Sequence, residues 1–157
     1  MNKALTILQS PLKFKLFLLM KLPMGFLAGL KIESITPETA IISFKYSYLT
    51  KNPFRSIYFA CLAMAGELAS GSLGLIRVYG AEKPVSMLVV NMEATFTKKA
   101  IGKIKFRCGD GLLIDKAIEE TKRTGEGVMV KTTSIGKDEK GDEVAQFTIT
   151  WSFKLKK

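Results

Sequence analysis

A chain of 157 residues with 47% hydrophobic content has the length of one ordinary domain and enough apolar residues for a buried core. Lys and Arg number 24 against 14 Asp and Glu, and the formal charge of +10 suits phosphates, nucleic acid or an anionic membrane without choosing among them. The sequence contains no histidine, which excludes Ser-His-Asp and Cys-His catalysis, an imidazole base and a His-ligated metal.

The N-terminal stretch MNKALTILQSPLKFKLFLLMKLPMGFLAGL has the early lysines and apolar centre of a signal peptide. Lys21 and Pro23 interrupt that centre, no small-x-small cleavage site follows cleanly, and no run of about 18 uncharged apolar residues is long enough to span a bilayer. We read residues 1–22 as a helix. Leu12, Leu16 and Leu19 recur at helical spacing with Phe17 and Met20 beside them, while Lys13 and Lys21 fall away from that stripe. Packing of the stripe on its own domain is the favoured expectation, and a basic helix resting on lipid is the alternative.

After Pro23 the period changes. GLKIESI and AIISFKYSYL alternate on either side of a TPET turn, which predicts an antiparallel hairpin. In NPFRSIYFACLAMAGELASG, Asn52 is a candidate cap and Pro53 tolerates a missing N–H, so helix onset is expected between Asn52 and Ser56. The helix is expected to run to about Ser70, with Gly71 and Gly74 loosening its end, giving a central helix over 52–74. VSMLVVNMEATFTKK and GKIKFRCG read as strands joined near Ala100 to Gly102, and DGLLIDKAIEETKRTG as a surface helix ending at Gly125, with Leu113, Ala117 and Ile118 on its apolar side. GVMVKTTSIG and VAQFTITWSFKLK close the chain as a hairpin about the solvated turn KDEKGDE, which lacks the spacing of a calcium loop. Cys61 and Cys108 form no CxxC pair and read as two reduced, packed thiols of a cytoplasmic protein.

No internal repeat or linker divides the chain, so residues 1–157 are expected to form a single domain. An apolar helix set between two strands and a mostly antiparallel sheet has several faces to bury, and a sheet that wraps it satisfies them all. The expected class is therefore α+β: a hotdog fold, a curved antiparallel sheet around one long apolar helix, with an extra N-terminal helix. On that helix, Glu67 has only Ala63, Met64, Ser70 and Gly71 at the three- and four-residue spacings. Burial there raises a carboxylate pKa toward that of a base working near neutrality; the alternative is a carboxylate that bonds a backbone amide or reaches water at a groove.

The segment NPFRSIYFACLAMAGELASG resembles the helix motif of hotdog-fold acyl-CoA thioesterases, especially a bacterial group of little-characterised domains. MEATFTKKAIGKIKFRC is similar to the superfamily's strand reading aromatic, x, basic, x, Ala, x, Gly, with Phe96, Lys98, Ala100 and Gly102 in those positions. The resemblance covers roughly residues 27 to 155. In the phenylacetate-pathway type, an Asn precedes a His-Gly-Gly by six residues and an Asp or Glu follows the His by nine; Asn52, Tyr58 and Glu67 stand at those separations. The resemblance implies that Glu67 is base or nucleophile, the Phe59 backbone N–H the oxyanion donor, and Asn52 the residue that orients water or the loop. The chain departs from the motif at Tyr58, Phe59 and Ala60, which replace His-Gly-Gly, and at Met64, where the closer group has Asn.

The same resemblance implies hydrolysis of an acyl-CoA or acyl-carrier thioester by a homodimer whose active site lies between subunits, with a tetramer left open. Lys98, Lys99 and Lys103, together with Lys105 and Arg107, become candidates for the coenzyme phosphates. Arg55, Ser56 and Met64 are candidate substrate contacts beside the helix. No cofactor or metal is implied, and no motif points to nucleic acid. A module that holds an acyl chain without turning it over is the competing expectation.

Overall fold

The structure, a computed structural model, describes residues 3–79 and 81–156; residues 1–2, 80 and 157 of the expected domain lie outside them. The elements run α1 (Lys3–Gln9), α2 (Pro11–Lys21), α3 (Pro23–Leu27), β1 (Lys31–Ile35), β2 (Ala40–Lys45), α4 (Phe59–Val78), β3 (Val85–Phe96), β4 (Lys103–Cys108), α5 (Gly111–Thr124), β5 (Val128–Lys137) and β6 (Glu143–Leu155). The six strands form one antiparallel sheet in the order β1-β2-β4-β5-β6-β3, and the long apolar helix α4 lies on its inner face. Strands β3 and β4 are joined in sequence near Ala100 as expected but do not pair, since β3 pairs with β6 and β4 with β2 and β5.

Alternation along β4 and β6 sets the core. Ile104, Phe106 and Cys108 from β4 meet Phe147, Ile149, Trp151 and Phe153 from β6 in the buried layer, and Lys103, Lys105 and Arg107 take the outer face. Against this layer α4 presents small residues. A Cβ added at Gly66 would stand 2.7 Å from the Phe147 ring, and one at Gly74 would stand 2.7 Å from the Met87 thioether. These glycines let the helix backbone approach aromatic side chains, and that packing offsets their poor helix propensity. Gly71 and Gly74 therefore sit inside a helix that continues to Val78, rather than loosening its end. By length and composition α4 could cross a membrane, yet 67% of its most apolar window is buried within this fold.

The onset of α4 differs from expectation as well. Helix begins at Phe59 with Tyr58 as its cap residue, not between Asn52 and Ser56. The Asn52 side chain is occupied within its own loop: Oδ1 accepts from the N–H groups of Phe54 (2.9 Å) and Ser56 (3.2 Å), and Nδ2 donates to Ser56 Oγ (3.0 Å) and Ile57 O (3.3 Å). Arg55 at φ 60° closes the turn, and the Tyr58 N–H donates to Thr50 O at 2.8 Å. A side chain that organises a turn in this way competes with capping a helix.

At the N-terminus, the single helix expected over 1–22 is broken at Ser10, whose side chain caps α2 ahead of Pro11, and again at Leu22 ahead of Pro23. Of the expected packing stripe, Phe17 alone packs against the core. Phe14 and Leu18 are buried against the domain, whereas Leu12, Leu16, Leu19 and Met20 are all at least half exposed. In α5, Ile114 rather than Leu113 joins Ala117 and Ile118 in the buried face, and Gly125 ends the helix in the left-handed region at φ 78°. Cys61 and Cys108 are free and buried, and burial pushes the Cys108 thiol up to about 11.

The close approach of α4 to the sheet makes Gly66→Ala a test of this packing. The added methyl displaces the Phe147 ring, and an urea unfolding curve should show a loss of about 1–3 kcal/mol with unchanged slope.

Candidate active site

The sheet leaves one stripe of α4 uncovered: Ala60, Ala63, Met64 and Glu67 recur at helical spacing and are only partly buried. The N-terminal helices cover the middle of this stripe. Lys21, Leu22, Pro23, Met24, Gly25 and Leu30 face Met64, Glu67 and Leu68 across a groove of about 200 Å³ whose lining is almost wholly apolar. Glu67 makes no side-chain hydrogen bond or ion pair with any described residue. Burial alone raises its pKa from 4.5 to about 7.

The space for that carboxylate comes from Gly71. A Cβ there would lie 3.0 Å from Glu67 Oε1 and 3.3 Å from the Trp151 ring. Trp151 is fixed in turn by a 3.0 Å bond from Nε1 to Ser70 Oγ, and Ser70 Oγ donates to Glu67 O at 3.2 Å. Neither Trp151 nor the residues from Lys21 to Leu30 figured among the sequence candidates. Trp151 carried one signal, an inward position in an alternating strand, but the N-terminal residues carried none, because their approach to α4 depends on the breaks at Ser10 and Leu22.

The start of α4 forms a second cluster. Tyr58 and Phe59 are exposed, with ring centroids 4.9 Å apart, and Phe59 stacks edge-on against Phe96 at 6.3 Å. The crossover that carries Ala100 and Gly102 is stitched beneath: the Ile57 N–H donates to Ala100 O and the Tyr46 N–H to Gly102 O, both at 2.8 Å. At the first helical position, the Phe59 N–H has no intrahelical acceptor and no other described partner. Ser56 is buried in the Asn52 turn, and Arg55 is exposed on that turn.

Of the sequence candidates, Met64 lies with Glu67 in the groove, and Asn52, Arg55, Ser56, Tyr58 and Phe59 gather at the helix start. Eight residues of helix separate Phe59 from Glu67, about 12 Å along the axis. Lys98, Lys99 and Lys103 do not line the groove. Lys98 is paired with Asp138 (2.6 Å) and Asp142 (2.7 Å), so the KDEKGDE turn is tied to the domain by an ion pair. Lys103 is paired with Glu33 at 2.5 Å; hydrogen bonds from Lys103 and Ser43 hold that carboxyl down to about 2. Among the described residues, no three Cys, Asp or Glu side chains converge to hold a metal ion.

No family model and no curated protein matches the sequence. Solved structures do match the fold. A Pseudomonas aeruginosa protein of unknown function, PA5026, described as a probable thioesterase, superposes with a TM-score of 0.78 at 19% identity, over 96% of this chain and 99% of its own. The thioesterase SAV0944 from Staphylococcus aureus, in a mutant form, gives 0.61 at 16% identity over 84% and 98%. The Escherichia coli PaaI protein of the phenylacetic acid degradation operon gives 0.63 at 9% identity over 85% and 86%. The chain has the hotdog fold. At these identities the likeness is one of architecture, and the hotdog frame is what puts Glu67 on the uncovered stripe of its central helix.

The raised Glu67 pKa carries a stability consequence with a definite sign. Below about pH 4.5 the carboxyl is protonated in both folded and unfolded chains. Between about 4.5 and 7 only the folded chain holds the proton, so this group's contribution falls as pH rises and the full cost of burying the charge is reached above 7. Glu67→Gln should therefore be more stable than the wild type at pH 8, by up to about 3 kcal/mol, and nearly equal to it at pH 4.5. Thermal unfolding of both proteins across that range checks it.

Proposed function

We propose that this chain hydrolyses an acyl thioester, with Glu67 as the general base. The observation that carries the reading is an unpaired carboxylate with a pKa near 7 facing an apolar groove, on a fold shared with proteins described as thioesterases. In the reaction, Glu67 takes a proton from water while the water oxygen attacks the thioester carbonyl. A backbone N–H stabilises the oxyanion, and the C–S bond breaks as the carrier thiolate leaves and is protonated. The Phe59 N–H suits the oxyanion role because it has no acceptor of its own.

Separation of about 12 Å along one helix keeps the Phe59 N–H and Glu67 of a single chain from meeting at one carbonyl. A complete site accordingly joins Glu67 of one protomer to the helix start of its partner, which makes the functional unit a homodimer. Strand β3 supplies a surface for that pairing. It is a twelve-residue edge, bonded only to β6, and Leu88, Val90, Met92 and Phe96 remain exposed along it. An edge so long and apolar favours a second strand.

A specific observation favours a second reading, in which the groove holds an acyl group without hydrolysis. Tyr58 and Phe59 put two packed rings where the thioesterase motif has His-Gly, narrowing the approach to the helix start. Mass spectrometry of the denatured protein, showing a retained acyl species alongside no turnover of any acyl-CoA or acyl-carrier substrate, decides for binding.

For the hydrolase, kcat/KM should rise with pH to a plateau above about 7, following deprotonation of Glu67. Glu67→Gln should lower kcat by about a hundredfold or more while leaving the fold intact. Full activity in that variant assigns the base elsewhere. Light scattering should give a dimer, and the paired substitution Val90→Lys and Met92→Lys on β3 should yield folded monomers that lack turnover.

A further inference from the structure

The face that α2 turns to solvent is apolar and has a lysine on either flank. At about 100° per residue, Leu12, Leu16, Leu19 and Met20 fall within about 100° of arc, while Phe14 and Leu18 lie on the side buried against the domain. Lys13 and Lys15 stand on the two flanks of that arc. Met24 and Leu27 of α3 extend the patch, each at least half exposed. Five lysines and no Asp or Glu precede Glu33 in the sequence.

We propose that the α2–α3 face docks on an anionic membrane surface, with its leucines and methionines in the acyl boundary and Lys13 and Lys15 at the phospholipid headgroups. The sequence of groups around the helix is that of an interfacial helix: apolar stripe, lysine on each flank, and a far side committed to the protein. Lysine stems can lie along apolar surface with their ammonium groups at headgroup level. Lys15 already reaches α3 in this way, its Nζ 5.8 Å from the centre of the Phe26 ring.

Charge separates a membrane from a second copy of the chain as the occupant. Self-pairing of this face would set Lys13 and Lys15 against the same residues of another protomer, and Glu33, which lines one groove with Lys15, is already paired with Lys103, whereas anionic headgroups complement both lysines. Docking also has a consequence for the groove. Lys21, Leu22, Pro23 and Met24 belong to the docking helices and line the space beside Glu67, so an acyl chain leaving the bilayer would enter the groove at its apolar wall. The docking itself does not depend on hydrolysis.

Vesicle flotation tests it directly, using phosphatidylcholine vesicles with and without an equal part of phosphatidylglycerol. The wild type should float with the anionic vesicles only, and binding should weaken steeply with added sodium chloride. Leu16→Asp with Met20→Asp, both at exposed positions, should reduce binding at least tenfold with melting temperature and oligomer mass unchanged. Lys13→Gln should reduce it about fivefold. A wild type that ignores anionic vesicles, equal binding to both vesicle types, or a double variant that floats as well as the wild type overturns the proposal. So does a change of oligomer mass in the double variant, which would make the face a protein interface.

Discussion

Everything in this molecule depends on how closely the α4 backbone approaches the aromatic layer of the sheet. Gly66 against Phe147 leaves no room for a Cβ without moving the ring, and Gly74 lets the flexible end of Met87 lie on the helix backbone, so the helix is seated deeper than larger side chains would allow. That depth turns twelve of its twenty residues inward and leaves a narrow outer stripe. The cost is a helix rich in glycine, which loses more conformational freedom on folding than alanine does, and in serine, whose hydroxyl competes for backbone hydrogen bonds. Tertiary packing of Phe147, Trp151 and Phe153, each contributing about 1.5–3 kcal/mol on burial, outweighs that deficit.

The same depth makes a charged residue on the stripe conspicuous. Glu67 sits between the sheet, through Trp151, and the N-terminal helices, through Leu22 and Met24, and forms no ion pair with a described residue although Lys21 lines the same groove. A carboxylate so placed destabilises the folded chain at neutral pH, and a glutamine or leucine would fit the groove without the penalty. Sites that retain such a cost are where chemistry is expected, since a base poised near neutrality needs the raised pKa that burial provides. The contrast with Glu33 is instructive. That carboxylate is held down to about 2 by Lys103 and Ser43, which suits a structural tie and removes it as a base.

The strands were legible in the sequence because alternation survives wherever one face of a sheet is buried, as in Ile104, Phe106 and Cys108 against Lys103, Lys105 and Arg107. Strand partners were less so: nothing local distinguishes a β3–β4 hairpin from a crossover, and the decision rests on bonds from Ile57 and Tyr46 to Ala100 and Gly102, over 40 residues away. Asn52 misled for a physical reason, since the side chain that can cap a helix can equally close a turn. Glu67 was found by its isolation among small residues, whereas the residues facing it from Lys21 to Leu30 were hidden. The inverted reading of α2 has a related cause. A helix with leucines on both sides offers two apolar stripes, and only the tertiary context of Phe14 and Leu18 decides which one is covered.

Among the exposed apolar surfaces of the described residues, those of β3 and α2 are distinguished by their backbones, which decide what can cover them. Along β3 the edge presents N–H and C=O groups that bond no neighbouring strand, so burying Leu88, Val90 and Met92 in lipid would strand polar groups, whereas a partner strand satisfies them. On α2 the helix bonds its interior peptide groups within itself, and Ser10 and Leu18 O serve its ends, so its apolar stripe needs only an apolar phase. Flanking charge completes the distinction. The stripe is flanked by Lys13 and Lys15, while β3 carries Glu93 beside Asn91 and is followed by Lys98, already paired with Asp138 and Asp142. One surface asks for a strand and the other for a surface of negative charge, and a single chain can meet both at once because they belong to different elements.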